Sequence, residues 1–327
     1  DVVGRLPEFQ KTYAQGSGGK FSATSGTSWG PKISELPNDA TYGGNTDNKY
    51  TQQYGKQQGK YYVPQRASAG LDPWVTPQAY DNAKEFFDTG ITWSNSLNVA
   101  QMLDKSSYSI SLGNTHQDGI ISSTGMDRYN VKVSADTKLT NNWSSGFTAN
   151  YITTSIDKAV TSGNGLLRTV YAAPPSYDLA GIPSHVDGNQ YTQNSFRGSF
   201  DNAYWAMDNN KFTEDTNRFF GNVYASYQTD FGTTNHKLNA KYMVGVDAYT
   251  THYVDSYGYG SNTGGGRGQI ENYGWTNATY NSLLTINYDW HINEDWGLNA
   301  VLGNEIIQSN RKKYYEYEKC SCMTKSN

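Results

Sequence analysis

The residue types that most often carry catalysis are few in this sequence and stand far apart. The five histidines have no pair at metal-ligand spacing and are His116, His185, His236, His252 and His291. No His-Glu-x-x-His or paired-carboxylate motif is present. We therefore expect no catalytic site, no enzyme activity and no cofactor.

Three other segments have the composition of an ion or phosphate site without its spacing. The glycine-rich run at 264–268 lacks the Lys-Ser/Thr pair of a phosphate loop, so it is interpreted as a flexible loop. Cys320 and Cys322 are the only cysteines, and two cannot complete a Cys-based metal site. The oxygens of 208–210 and 214–215 do not follow EF-hand spacing. We predict no metal site.

Ligand contact is the one site chemistry for which the sequence has suitable residues. Sugar rings stack on aromatic planes, and amide or carboxylate oxygens bind their hydroxyls. The predicted substrate-binding residues are assigned to long links between strands and are Trp29, Trp74, Tyr204, Trp205, Asp208, Tyr257, Tyr259, Asn262 and Trp275. The alternative for each ring is packing of loop against loop, or contact with a partner protein.

The composition excludes several classes of protein. Of 327 residues, 17% are charged and 14% aromatic, the reverse of a disordered chain. The formal net charge of −4 gives no broad basic field for nucleic acid, so no nucleic-acid partner is expected. No apolar run is long enough for a transmembrane helix, but the strands of a transmembrane barrel would escape that test. The sequence begins with Asp1-Val2-Val3 and shows no signal peptide, which suggests a mature piece or a fragment.

From Ile91 onward, apolar and polar residues alternate with the period of a β-strand. In 128–139, for example, Tyr129, Val131 and Val133 share one face, whereas Arg128 and Lys132 share the other. Such alternation gives each strand one apolar and one polar face. The pattern predicts eight strands, at 91–101, 106–114, 128–138, 143–154, 218–230, 237–250, 278–290 and 295–307.

The links between these strands alternate between short and long. The short links are 103–105, 140–142, 231–236 and 291–294, and the long links are 115–127, 155–217 and 251–277. An up-and-down outer-membrane barrel has this pattern, with short periplasmic turns and long extracellular loops. The predicted fold is an all-β, antiparallel up-and-down transmembrane β-barrel segment. Residues 1–90 are assigned to a barrel segment with a long outer loop and weak strands, 91–317 to the barrel strands, and 318–327 to an irregular tail.

Four short motifs resemble those of one transporter family. They are Tyr13-Ala14-Gln15-Gly16, Ser28-Trp29-Gly30-Pro31, Phe86-Phe87-Asp88-Thr89-Gly90, and Gly119-Ile120-Ile121 followed by Arg128-Tyr129-Asn130. In order and spacing they are similar to the SusC/RagA type of TonB-dependent outer-membrane transporter, over roughly residues 10–310.

This resemblance implies a larger barrel, closed by a plug, that imports oligosaccharides or peptides through the outer membrane. It also implies three partners: a SusD-like surface lipoprotein, a TonB complex that acts through the plug, and outer-membrane lipid. Neither a plug nor a TonB-box is recognisable in the chain, and eight strands are fewer than the 22 of the family. We therefore expect an open arc from the middle of the barrel.

Two alternatives remain open at the level of sequence. A soluble extracellular carbohydrate-binding or adhesin β-protein would bury its apolar strand faces between two stacked sheets. A closed eight-stranded barrel would pair the strand at 91–101 with the strand at 295–307.

Overall fold

The computed structural model describes residues 8–159, 165–232 and 235–319. Residues 8–91 form only short elements, with no strand in the large sheet. In chain order they are β1 (Gly16–Ser17), β2 (Lys20–Phe21), a 3-10 helix (Ile33–Asn38), α1 (Lys49–Tyr54), β3 (Tyr61–Tyr62), α2 (Pro64–Ser68), β4 (Trp74–Val75) and α3 (Asn82–Phe86). The strands of this region are thus two-residue pairs outside the large sheet, and the domain division at residue 90 stays a prediction.

Eight long strands form one antiparallel sheet in which each strand pairs with its neighbours along the chain. They are β5 (Thr92–Met102), β6 (Ser106–Asp118), β7 (Gly125–Lys138), β8 (Trp143–Lys158), β11 (Lys211–Phe231), β12 (His236–Tyr257), β13 (Gln269–His291) and β14 (Gly297–Lys319). Between β8 and β11 lie α4 (Leu166–Ala172), β9 (His185–Val186), β10 (Asn189–Gln193) and α5 (Ala203–Asn209). A 3-10 helix (Thr263–Gly266) lies between β12 and β13.

All eight predicted strands are present, and their ends at the short turns agree closely with the prediction. At the long-loop end every strand except β5 runs further than predicted: β13 begins at Gln269 instead of 278, and β14 continues to Lys319 instead of 307. The alternation of apolar and polar residues stops there because both faces of the sheet are polar, whereas the backbone ladder continues. Residues 318 and 319 therefore belong to β14 instead of a tail, and the two cysteines lie outside the described residues.

Short side chains close two of the turns at the opposite end. The Thr140 hydroxyl accepts hydrogen bonds from the backbone N–H of Asn142 and Trp143, at 3.2 and 3.0 Å. The Asn293 side-chain oxygen accepts from the N–H of Asp295 and Trp296, at 3.0 and 2.9 Å. The strand-to-strand hydrogen bonds end at these turns, and the side chains of Thr140 and Asn293 accept from the backbone N–H groups instead. This stabilises the short links.

The sheet has one apolar face that continues across its strands. Phe147, Val223 and Val244 lie side by side in register on β8, β11 and β12, and they are 43%, 53% and 42% exposed. These side chains stay exposed, and the other three sheets of the described chain have only two strands each. The stacked-sheet alternative is therefore wrong for the described residues.

The sheet is open rather than closed. Its order runs from β14 at one edge to β5 at the other, and within the described residues these two strands pair only with β13 and β6. The closed eight-stranded barrel is therefore wrong, whereas the open arc is confirmed. In the described residues, no helix is long and apolar enough to cross a membrane.

A second folded region covers the long-loop end. Residues 8–91 and 165–210, together called the lobe, share one hydrophobic core that includes Leu36, Phe86, Val170 and Phe196. Burial raises the pKa of Tyr61 in this core, and the Tyr61 hydroxyl donates to the Ser176 carbonyl at 2.8 Å. Segments more than a hundred residues apart in the chain thus fold as one unit.

The Tyr13–Gly16 and Ser28–Pro31 motifs meet in the lobe. The Ala14 N–H donates to the Pro31 carbonyl at 2.8 Å, and the Trp29 N–H donates to the Gly16 carbonyl at 2.9 Å. A Cβ at Gly30 would lie 2.4 Å from the Gln15 carbonyl oxygen. Glycine is required there because the two backbones approach too closely for a side chain.

We expect Phe196→Ala to destabilise the whole lobe, because its ring is fully buried and packs 5.4 Å from the ring of Tyr177. The cost is about 3–5 kcal/mol, as for other phenylalanines removed from a core. Amide hydrogen exchange should become faster in both 8–91 and 165–210. Trp29→Ala, at a ring 64% exposed, is the matched control and should change exchange little. Faster exchange in 165–210 alone would contradict a shared core.

Candidate ligand site at the mouth of the sheet

A cavity of about 680 Å³ lies between the long-loop end of the sheet and the lobe. Lys158, Lys211, Phe212 and Tyr257 line it from β8, β11 and β12. The lobe contributes Asp201, Ala206, Met207 and Asp208. This volume and this mixture of apolar and charged groups are typical of a site for a small organic ligand.

Helix α5 carries Met207 and Asp208 to the cavity. Its first turn is capped by the Asn202 side-chain oxygen, which accepts from the N–H of Tyr204 at 2.9 Å. The buried Trp205 anchors the helix, because its ring is fully enclosed and its indole N–H donates to the Gln190 carbonyl at 2.8 Å. The cap and the anchor together fix which side of α5 faces the cavity.

Asp201 joins the lobe to the hairpin that follows β12. Its carboxylate accepts from the Ser261 hydroxyl at 2.6 Å and from the backbone and side-chain N–H groups of Asn262 at 2.7 and 2.9 Å. The Gln193 amide also donates to it, at 2.6 Å. We call this cluster the Asp201 latch. The Asp201 latch holds one wall of the cavity in place.

Four aromatic side chains form a row on the polar face of the sheet, next to the cavity. They are Tyr253, Tyr273, Trp275 and Tyr315, called the aromatic row. The rings of Tyr253 and Tyr273 stack at 4.9 Å with an interplanar angle of 8°. Tyr253 lies 5.4 Å from Trp275, and Tyr273 lies 6.4 Å from Tyr315.

Lys158 connects the cavity with the aromatic row. Its Nζ lies 4.4 Å from the ring centroid of Tyr253 and 3.2 Å from a carboxylate oxygen of Glu214. Both side chains of this ion pair are partly exposed, so the pair contributes little to stability. Its consequence is geometric, because it fixes a cation between the cavity and the rings.

The structure brings four of the predicted ligand residues to this region. Asp208 and Tyr257 line the cavity, and Asn262 lies beside it in the Asp201 latch. Trp275 is in the aromatic row. Tyr257 and Trp275 lie in strands β12 and β13 and not in links as the sequence suggested.

The other five predicted residues lie elsewhere. Trp74 and Trp205 are buried within the lobe, and Tyr204 packs edge-to-face on Phe86 at 5.4 Å. Partial burial of Tyr204 raises its pKa, and the carboxylates of Glu85 and Asp88 act in the same direction. Trp29 and Tyr259 are 64% and 52% exposed.

Sequence reasoning missed Asp201, Lys158 and three of the four rings in the aromatic row. Tyr253 and Tyr273 fall in the segment 251–277, which the sequence pattern assigns to a long link. The signal was present, because Tyr249, Thr251, Tyr253 and Asp255 continue the polar face of β12 at every second residue. No group of three or more metal-ligating side chains occurs in the described residues. The arrangement is suited to non-covalent binding of a polar organic ligand.

The same fold occurs in solved structures of an importer. The chain is similar to the RagAB peptide importer in its "closed-closed" state, with a TM-score of 0.62 and 17% sequence identity. For the "open-open" state the TM-score is 0.61 at 17% identity, and for a further structure of the RagAB peptide transporter it is 0.60 at 16%. In each case the match covers 74% of this chain and 27% of the other chain. The described sheet is thus an arc of a barrel of this type.

Sequence comparison adds no relative. No family model matches the chain, and no curated protein matches it. At this level of identity the structural likeness establishes the fold alone.

We expect Asp201→Ala to release the hairpin at 258–268 from the lobe. Hydrogen bonds to a charged group contribute about 1.5–3 kcal/mol, so amide exchange in the hairpin should become about tenfold to a hundredfold faster. Asp208→Ala, on the same cavity wall but outside the latch, is the matched control. Equal acceleration by both variants would mean that the latch does not hold the hairpin.

Proposed function

We propose that this chain is part of the barrel wall of a SusC/RagA-type, TonB-dependent importer in the outer membrane of a Gram-negative cell. The observation that carries the proposal is the continuous, exposed apolar face of an eight-stranded meander. In water such a face would aggregate, whereas against lipid it is the stable arrangement. The opposite, polar face then lines the lumen.

The two open edges support a larger barrel. Hydrocarbon cannot hydrogen-bond the free N–H and C=O groups of β5 and β14, so further strands must pair with both. The fold likeness to RagAB, which spans 27% of that chain, agrees with a segment of this kind.

The cargo that we propose is an oligosaccharide or a short peptide. The mouth cavity offers apolar, cationic and anionic groups, and the aromatic row offers ring surfaces along the lumen. The neighbours are described as peptide importers, which favours the peptide of the two. The role is transport, and we propose no enzyme activity.

The proposed partners follow from the same architecture. A SusD-like surface lipoprotein would cover the mouth and contact the lobe, as the paired name RagAB suggests for the neighbours. A TonB complex would act through a plug that is supplied outside the described residues. Lipid would contact the apolar face.

We expect Val244→Arg to prevent assembly in the outer membrane, because Val244 lies near the middle of the apolar stretch of β12. An arginine at the bilayer midplane costs about 2–4 kcal/mol on the lipid face of a barrel. The measurement is the amount of full-length protein, expressed in its native cells, that is recovered in the outer membrane with heat-resistant electrophoretic mobility.

Met243→Arg is the matched control, because it is the adjacent residue on the polar face of the same strand. This variant should assemble normally if the polar face is wet. Normal assembly of Val244→Arg, or recovery of the wild-type protein in the soluble fraction, would contradict the proposed function and favour a soluble binding protein.

A further inference from the structure

The aromatic row holds cations of the chain itself at two of its positions. The Nζ of Lys158 lies 4.4 Å from the centroid of Tyr253, and the guanidinium of Arg311 lies 4.8 Å from the ring of Trp275. The faces of aromatic rings attract cations because they carry negative electrostatic potential. The aromatic row is therefore a surface that binds cationic groups.

Two carboxylates lie beside the rings of Tyr273 and Tyr315. Asp255 and Glu271 lie directly opposite each other on β12 and β13, on the same face. The Tyr273 hydroxyl donates to Asp255 at 3.1 Å, and the Tyr315 hydroxyl donates to Glu271 at 3.2 Å. The hydroxyls orient the carboxylates but do not neutralise them, and like charges directly opposite destabilise a sheet.

The lysines that β14 carries on this face are paired with other positions of β13. Lys313 is opposite Trp275 and Lys319 is opposite Gln269, whereas the residue opposite Glu271 is Tyr317. Within the described ranges, no lysine or arginine nitrogen lies within 4.0 Å of the carboxylate of Asp255 or Glu271. The rings of Tyr253 and Trp275 are thus supplied with cations, whereas the carboxylates of Asp255 and Glu271, one step nearer the long-loop end, are not.

We propose that Asp255 and Glu271, with the rings of Tyr273 and Tyr315, bind a cationic group of the imported ligand. The ligand chemistry is an ammonium or guanidinium group, as on a lysine or arginine side chain or the amino terminus of a peptide. A neutral glycan would leave the opposed carboxylates uncompensated. The inference rests on the proposed function and makes it more specific.

The position of this cation site suits a ligand that enters through the mouth cavity. Phe212 lines the cavity and lies opposite Asp255 on the adjacent strand. Tyr257, two residues beyond Asp255 on the same face, lines the cavity as well. A ligand held in the cavity can therefore extend a charged side chain to Asp255 and Glu271.

The test compares two pentapeptides on the importer purified in detergent from its native outer membrane. Both are acetylated and amidated Ala-Ala-X-Ala-Ala, with X either lysine or acetyl-lysine, so lysine supplies the only charge. We expect the lysine peptide to bind about tenfold more tightly, since ring and carboxylate contacts to a cation together supply at least about 1.4 kcal/mol. The double variant Asp255→Asn, Glu271→Gln should abolish this preference.

Asp289→Asn is the matched control, because Asp289 is a carboxylate of β13 on the same face at the short-turn end. It should keep the preference for lysine. The cation site is refuted if the wild-type protein binds both peptides equally, or if the double variant still prefers the lysine peptide.

A measurement without ligand separates binding from folding. Removal of two opposed charges should leave the unfolding temperature of the double variant unchanged or higher. A lower unfolding temperature would mean that the carboxylates stabilise the sheet, which also overturns the proposal. Uptake of neutral oligosaccharides without lysine preference would refute the cation site alone, whereas normal assembly of Val244→Arg would refute the importer itself.

Discussion

The register of the eight-stranded ladder is the constraint on which the rest of the structure depends. Successive side chains of a strand point to opposite faces, so a shift of one residue would exchange the apolar and polar faces. The eight strands alternate in this way over their apolar stretches, and Phe147, Val223 and Val244 remain neighbours across three of them. The same register places Asp255 opposite Glu271 and Tyr253 opposite Tyr273. The apolar face and the chemistry of the polar face are therefore set together.

The lobe orders the long connections at one end of the sheet. Loops without a core of their own would move freely. Here residues 8–91 and 165–210 bury side chains such as Leu36 and Phe196 in common, and the Asp201 latch ties this core to the hairpin after β12. The cavity between lobe and sheet is therefore bounded by ordered elements on both sides.

The sequence was informative where the two faces of a strand carry side chains of different polarity. It failed where both faces are polar. Alternation identified all eight strands, because Val131 and Lys132 must face different surroundings. It missed the start of β13 at Gln269, since residues 269–277 have polar side chains on both faces but still pair in the ladder. Trp205 could not be assigned either, because its burial depends on packing within the lobe, which no local pattern encodes. The pairing of Asp255 with Glu271 requires the register, and register between distant segments is a tertiary property.

The extension of the strands beyond the apolar stretch explains why several candidate ligand residues lie on strands. A crossing needs about 9–11 tilted residues, whereas β12 to β14 have 22, 23 and 23. The additional length carries the aromatic row on a hydrogen-bonded ladder, where each ring is fixed by its neighbours more firmly than a loop would allow. Tyr315 lies on the edge strand β14. In the proposed importer a further strand would pair with this edge, so the proposed cation site and the assembly of the barrel would depend on the same edge.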